Sequence, residues 1–280
     1  MKTYTTKHFA KSRFTSLADD TRAKRFFSAN YTEIKYTVVG YRFLKEIYDR
    51  GNDLSEDRVF KSVFGQFYAM APLFVTNNFI SKFYNKMNEI RRSKKTSNLD
   101  PSAIATELCK DDSRYQFSFV TKMLNLENDR LYPIYDSKVA LMLGFNTNVL
   151  SGKSHEIKAA QYNSWYKAII EIYNELLLDE KAKTVLANFK KTFDCEDLSD
   201  MRIIDIIFWQ LGKDEEKRDQ KHYKIMEINK ILEDNTTKKQ KILNLKKLGL
   251  TRTEIIELDF VDQVSVYDIF REEKNKTEEK

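Results

Sequence analysis

The chain has 280 residues, 41% of them hydrophobic, which is ample for a buried core and excludes disorder throughout. Seven glycines and three prolines are too few for a turn-rich sandwich or barrel, so the expected fold class is all-α. The formal charge of +6 is concentrated at the N-terminus: the first fifty residues carry eleven Lys or Arg against five acids, whereas residues 214–280 carry fifteen against sixteen.

Residues 1–29 read as a basic N-terminal arm. In it Lys7, Lys11, Arg13, Arg22, Lys24 and Arg25 alternate with Phe9, Phe14, Phe26 and Phe27. That pattern suits either phosphate contact with stacking rings or a helix whose aromatics dock on a core. Residues 30–213 read as a compact helical domain. Val59, Phe60, Val63, Phe64, Phe67 and Tyr68 follow helical spacing after Ser55 and Glu56. Beyond Pro72 the set Phe79, Ile80, Phe83, Tyr84, Met87 and Ile90 repeats it, up to the charged run Arg91 to Lys95 and the polar turn Ser97 to Pro101. Further helices are expected at about 101–110, 116–126, 136–143, 156–178, 181–193 and 199–212. The charged stretch Asp214 to Lys221 after Gly212 marks the end of this domain.

Residues 214–280 read as a charged helical C-terminal unit, helix-turn-helix-like in outline. Ile225, Ile228, Ile231 and Leu232 mark one helix, Asn235 to Thr237 a break, and Ile242, Leu245, Leu248 and Leu250 a second helix with a stop at Gly249. Thr251 to Glu254 fits a capping box ahead of Ile255, Ile256 and Leu258, and the tail from Arg271 onward is expected to fray. The near-neutral charge of this unit favours packing or docking a protein partner over reading DNA.

Several chemistries lack their residues. His8, His155 and His222 are far apart with no Cys or carboxylate at ligand spacing, so no metal site is expected. There is no glycine-rich phosphate loop, dinucleotide fingerprint or nucleophile elbow, and no cofactor is expected. Cys109 and Cys195 read as core filling. The apolar run Phe67 to Val75 is too short for a bilayer, no apolar segment follows Lys2 and Lys7, and the expected setting is cytoplasmic with no membrane partner.

The most distinctive stretch is Phe117-Ser-Phe-Val-Thr-Lys122, followed by Tyr132-Pro-Ile-Tyr-Asp136-Ser-Lys138. Lys122 lies among Phe119, Val120, Met123 and Leu124, so its stem runs along apolar surface and its amine sits in a partly dry pocket, an environment that favours a nucleophilic amine. Asp136 opens a helix, where its carboxylate caps the free N–H groups of the first turn. Without further information the pair also reads as a snorkelling lysine and an ordinary cap. Phe119, Tyr132, Tyr135, Trp165, Tyr166 and Trp209 are candidate pocket aromatics; of these Tyr135, beside Asp136, is taken as a substrate-binding residue, together with Lys138 as a phosphate contact.

This order, Ser-Phe-x-x-Lys, a short connector and Pro-Ile-Tyr-Asp-Ser, resembles the lysine-to-aspartate segment of the helix-hairpin-helix DNA glycosylase superfamily, particularly bacterial 8-oxoguanine DNA glycosylase-like proteins with a degenerate hairpin. Val63 to Tyr68 and Ile203 to Trp209 are similar to flanks of those proteins, so the resemblance covers roughly residues 30–213 and is sharp over 117–140. It implies Lys122 as the nucleophile that forms a Schiff base with the sugar of a flipped-out nucleotide, Asp136 as its acid/base partner, and DNA as the ligand. Phe117 to Thr121 stand where the family has its Gly-x-Gly hairpin, and the fourteen-residue Lys122 to Asp136 interval is shorter than in its best-known members. The expectation is therefore a DNA glycosylase with abasic-site lyase activity. The alternatives are a non-catalytic DNA-binding module, as in bacterial defence, and a helical protein-interaction scaffold.

Overall fold

Helices make up the regular structure of the described residues, with no strand among them, as the all-α expectation required. The computed structural model describes residues 2–70, 75–93, 97–110, 114–234, 236–258 and 262–278, with the backbone alone for 2–7, 219–226 and 272–278. Pro72, Lys94, Lys95 and Asn235, and the side chains of Lys2, Lys7, His222 and Ile225, lie outside the described residues.

Among the described residues fourteen α-helices follow in order: α1 (Lys2–Thr15), α2 (Asp20–Ala29), α3 (Tyr31–Asp49), α4 (Arg58–Phe67), α5 (Asn77–Ser93), α6 (Pro101–Leu108), α7 (Phe117–Glu127), α8 (Ser137–Met142), α9 (His155–Leu178), α10 (Glu180–Phe193), α11 (Asp200–Glu233), α12 (Lys238–Lys247), α13 (Arg252–Glu257) and α14 (Gln263–Glu278). Many starts share one local cause, a short polar side chain that accepts an otherwise unbonded N–H of the first turn. Asp57 caps α4, Asp100 caps α6 with Pro101 behind it, and Asp136 caps α8. The expected capping box of Thr251 and Glu254 is formed at α13.

The chain divides into two compact units, Met1–Asp214 and Glu215–Lys280. The core of the first is densely aromatic. Phe60 and Phe64 of α4, Phe79 and Phe83 of α5, Tyr173 of α9 and Phe189 and Phe193 of α10 are fully buried. Residues 8–29 contribute to this core rather than standing apart as an arm: Phe14 packs on Phe208, and Phe27 meets Phe189 and Phe193 edge-on. The ring of Phe9 stays about half exposed.

Two expectations about the charged segments are corrected. The helix expected to end near residue 212 runs on to Glu233, and the tail expected to fray from Arg271 is helical to Glu278. In both places a run dominated by Glu, Lys and Arg interrupts the hydrophobic pattern without interrupting helix propensity, because these straight-chain residues are good helix formers. The second unit has its own small core of Ile242, Leu245, Leu250, Ile255, Val266 and Ile269.

Candidate functional site

Lys122 and Asp136 meet. The lysine Nζ lies 3.2 Å from Asp136 Oδ2, with both side chains largely withdrawn from solvent. The other carboxylate oxygen, Oδ1, accepts from the Lys138 backbone N–H at 3.0 Å, so a single side chain both caps α8 and holds the amine. Above the amine lie the rings of Phe119, at 5.3 Å, and Tyr68, at 5.6 Å, which suit a cation by their electron-rich faces.

The pair faces a cavity of about 170 Å³, lined also by Phe67, Tyr68, Arg202 and Trp209. Each wall has a different origin. Phe67 and Tyr68 end α4, and the next residue, Ala69, sits in the left-handed region at φ 52°, so the chain turns sharply at the cavity edge. Thr37 comes from α3, and Val139 from α8. Arg202, Asp205, Ile206 and Trp209 come from the core-spanning part of α11. The Lys213 ammonium lies 4.6 Å from the Trp209 ring centroid and is paired with Glu33.

Behind the cavity is a buried polar network that fixes the loop bearing Asp136. Asp205 Oδ1 accepts from the Ile134 N–H at 3.0 Å and from the Tyr173 hydroxyl at 2.9 Å; Oδ2 accepts from Asn125 Nδ2 at 3.3 Å and lies 3.8 Å from an Arg202 nitrogen. Asn125 also donates to the Tyr132 carbonyl at 2.8 Å, and Tyr166 to the Pro133 carbonyl at 3.0 Å. Thr121 Oγ1 accepts from the Tyr135 N–H at 3.0 Å. The backbone of 132–135 has no regular structure, and these side chains replace the hydrogen bonds that a helix would have provided. The Arg202 guanidinium lies over the Tyr41 ring at 4.3 Å.

Burial raises the Asp205 carboxyl to about 7, against the opposing charge of Arg202. Burial likewise raises the Tyr68 hydroxyl to about 12, so at neutral pH this wall presents a neutral phenol. Tyr68 Oη and Arg202 Nε are buried beside the cavity without a hydrogen-bond partner among the described residues. Both are donors with unused capacity in a dry setting, where an unmade hydrogen bond costs about 1–3 kcal/mol.

The other named residues are placed differently. The Tyr135 ring is turned into an aromatic cluster with Phe117, Tyr162 and Trp165, at 5.5, 5.1 and 6.3 Å, and does not line the cavity. What Tyr135 contributes is its backbone. Lys138 is half-buried and also outside the cavity lining; its N–H holds Asp136. Of the remaining candidate aromatics, Trp209 lines the cavity, whereas Trp165 stacks on Phe145. The positions compared with a hairpin, Phe117 to Thr121, form the first turns of α7. Cys109 and Cys195 are buried free thiols, and no group of three or more metal-ligating side chains occurs among the described residues.

Sequence reasoning missed Arg202, Thr37 and the network behind them. One signal was available: Asp205 is a lone carboxylate in the run Ile203-Ile204-Asp205-Ile206-Ile207-Phe208, where an acid at helical spacing from buried residues must find partners. No protein-family model, curated protein or solved structure matches this chain.

Proposed function

We propose that this protein is a DNA glycosylase with abasic-site lyase activity, in which Lys122 is the nucleophile and Asp136 its proton partner. The observation that carries the reading is the 3.2 Å contact between the two at the wall of a cavity whose lining includes the aromatic residues Phe67, Tyr68 and Trp209 and the buried polar residues Arg202 and Asp205. An ammonium is not a nucleophile, so the lysine must first give up a proton; Asp136 Oδ2 is within reach to take it. The freed amine attacks the anomeric carbon of an extruded nucleotide as the bond to the base breaks, and the departing base receives a proton. Trp209 offers a face for a flipped base to stack on, and the donors of Tyr68 and Arg202 suit the acceptors on its edge. The resemblance of residues 117–140 to the lysine-to-aspartate segment of the helix-hairpin-helix DNA glycosylases supports the same reading.

The experiment is borohydride trapping on duplex DNA carrying an abasic site or 8-oxoguanine, comparing wild type with Lys122→Gln at the same salt. A covalent band with the wild type and none with the variant is expected. No band from folded, DNA-bound wild type overturns the lyase reading. A second reading, a non-catalytic DNA-binding module, is favoured by the ion pair itself, since a lysine held by a carboxylate also serves as a structural tie between α7 and α8. It expects salt-dependent DNA binding that Lys122→Gln leaves unchanged.

A further inference from the structure

One face of α3 carries three exposed apolar side chains. Tyr36 is 73% exposed, Val39 49% and Phe43 45%, and their spacing of three and four residues places them in one stripe. The opposite face of the same helix is ordinary core, with Ile34, Val38, Tyr41 and Leu44 buried. An amphipathic helix in a folded domain needs only the buried stripe, so the second is not explained by folding.

The stripe leads to the cavity. Gly40 lies between Tyr36 and Phe43 on the same face, and a Cβ there would meet the Phe67 ring at 2.9 Å. Phe67 therefore crosses α3 in the middle of the stripe, and its ring is itself part of the cavity wall. Thr37, next to Tyr36, lines the cavity from α3. The exposed rings and the Lys122–Asp136 cavity are thus neighbours on one surface of the first unit.

The charge of this part of the chain is positive in balance, although Lys11, Arg42, Lys45 and Arg50 are paired with acids. The first fifty residues, α1 to α3, hold an excess of six positive charges. Arg22, Lys24 and Arg25 of α2, separated from α3 by Asn30 alone, are exposed and make no ion pair among the described residues. Two exposed rings on α3, with unpaired cations on α2, the helix that precedes it and packs on it, fit a ligand that has both π-faces and regularly spaced negative charge, which is single-stranded nucleic acid. An acidic peptide would use the cations but would not need planar rings.

We infer that the Tyr36–Val39–Phe43 face of α3 is a stacking surface for unpaired DNA bases next to the cavity, with the α2 cations on the phosphates. The choice of DNA rests on the function proposed above; the stacking surface does not depend on Lys122 chemistry. The test is fluorescence anisotropy of a labelled oligothymidine with the full chain, comparing wild type, the Tyr36→Ala/Phe43→Ala double variant and Tyr36→Phe across a salt series. The double variant is expected to lose roughly tenfold or more in affinity with its salt slope unchanged, while Tyr36→Phe, which keeps the ring, binds as wild type. Because both residues are exposed, its thermal unfolding should match wild type.

Equal affinity of wild type and double variant, or no binding of oligothymidine by folded wild type, overturns the inference. So does a wild-type dimer that the double variant converts to monomer, which would assign the stripe to self-association. Borohydride trapping separates the two claims: ring-dependent binding without a trapped band leaves the stacking surface standing and removes the lyase, and a trapped band with ring-independent binding does the reverse.

Discussion

Asp205 is a carboxylate almost entirely without water, and its balance decides how the candidate site responds to pH. Its four partners, the Ile134 N–H, Tyr173, Asn125 and Arg202, favour the ionised form, but burial outweighs them and raises the carboxyl to about 7. In the unfolded chain the same group would titrate near 3.9. The folded state therefore holds this proton more tightly, so the contribution of Asp205 to stability is fully present below about pH 4 and is lost as pH rises through about 7. The opposite case is Asp197, whose carboxyl is held low by Arg42; its contribution is present above the ordinary Asp range and lost as pH falls. In urea titrations from pH 4 to 8, the stability difference between wild type and Asp205→Asn should change by up to a few kcal/mol over the window of about 4 to 7 and stay flat above it. A difference that does not vary with pH would mean that Asp205 is ionised throughout and that Arg202 neutralises it fully.

Between elements, the site depends on how closely α11 approaches the start of α8. A Cβ on Gly212 would meet the Lys138 carbonyl oxygen at 2.1 Å and its carbon at 2.7 Å, both backbone atoms of the turn that Asp136 caps. Gly212→Ala should therefore cost roughly 1–3 kcal/mol in denaturant unfolding, the range for overpacking. By displacing α8 it should also reduce any trapping by Lys122 well beyond the loss of folded protein. Retention of wild-type stability would show that α8 moves freely, and the 3.2 Å pair would then not be held by packing. The sequence made some of this readable and some not. Helical periodicity located α4 to α10 closely, and the short polar residue before Ser137 identified the Asp136 cap, because both signals are local. Gly212 was read as punctuation, whereas its role is close approach to a segment some seventy residues earlier, which no local pattern encodes. Thr121 and Asn125 were hidden for the same reason: their partners at 132–135 belong to an irregular loop, and hydrogen bonds from side chain to distant backbone leave no period. Nothing local in the sequence distinguishes Arg202; only the fold places it over the Tyr41 ring and beside Asp205.

At the scale of the whole chain, the two units differ greatly in what holds them. Among the described residues, the first buries twenty aromatic rings together with many aliphatic side chains in one cluster, while the second buries six aliphatic residues. A unit of that size with so few buried side chains gains little net stability from its core, since ordering each residue costs about 1–2 kcal/mol in backbone entropy. The charged run that follows Asp214 stays helical but adds no described core residue until the partly buried Ile228. The second unit should accordingly unfold first. The sequence offers a built-in way to see this: Trp165 and Trp209, the two tryptophans of the chain, both belong to the first unit. In a urea titration, tryptophan fluorescence should report a single transition of the first unit, whereas far-ultraviolet circular dichroism, which sees all helices, should begin to change at lower urea. Coincident curves would mean that the units unfold as one cooperative body and that the second draws its stability from the first.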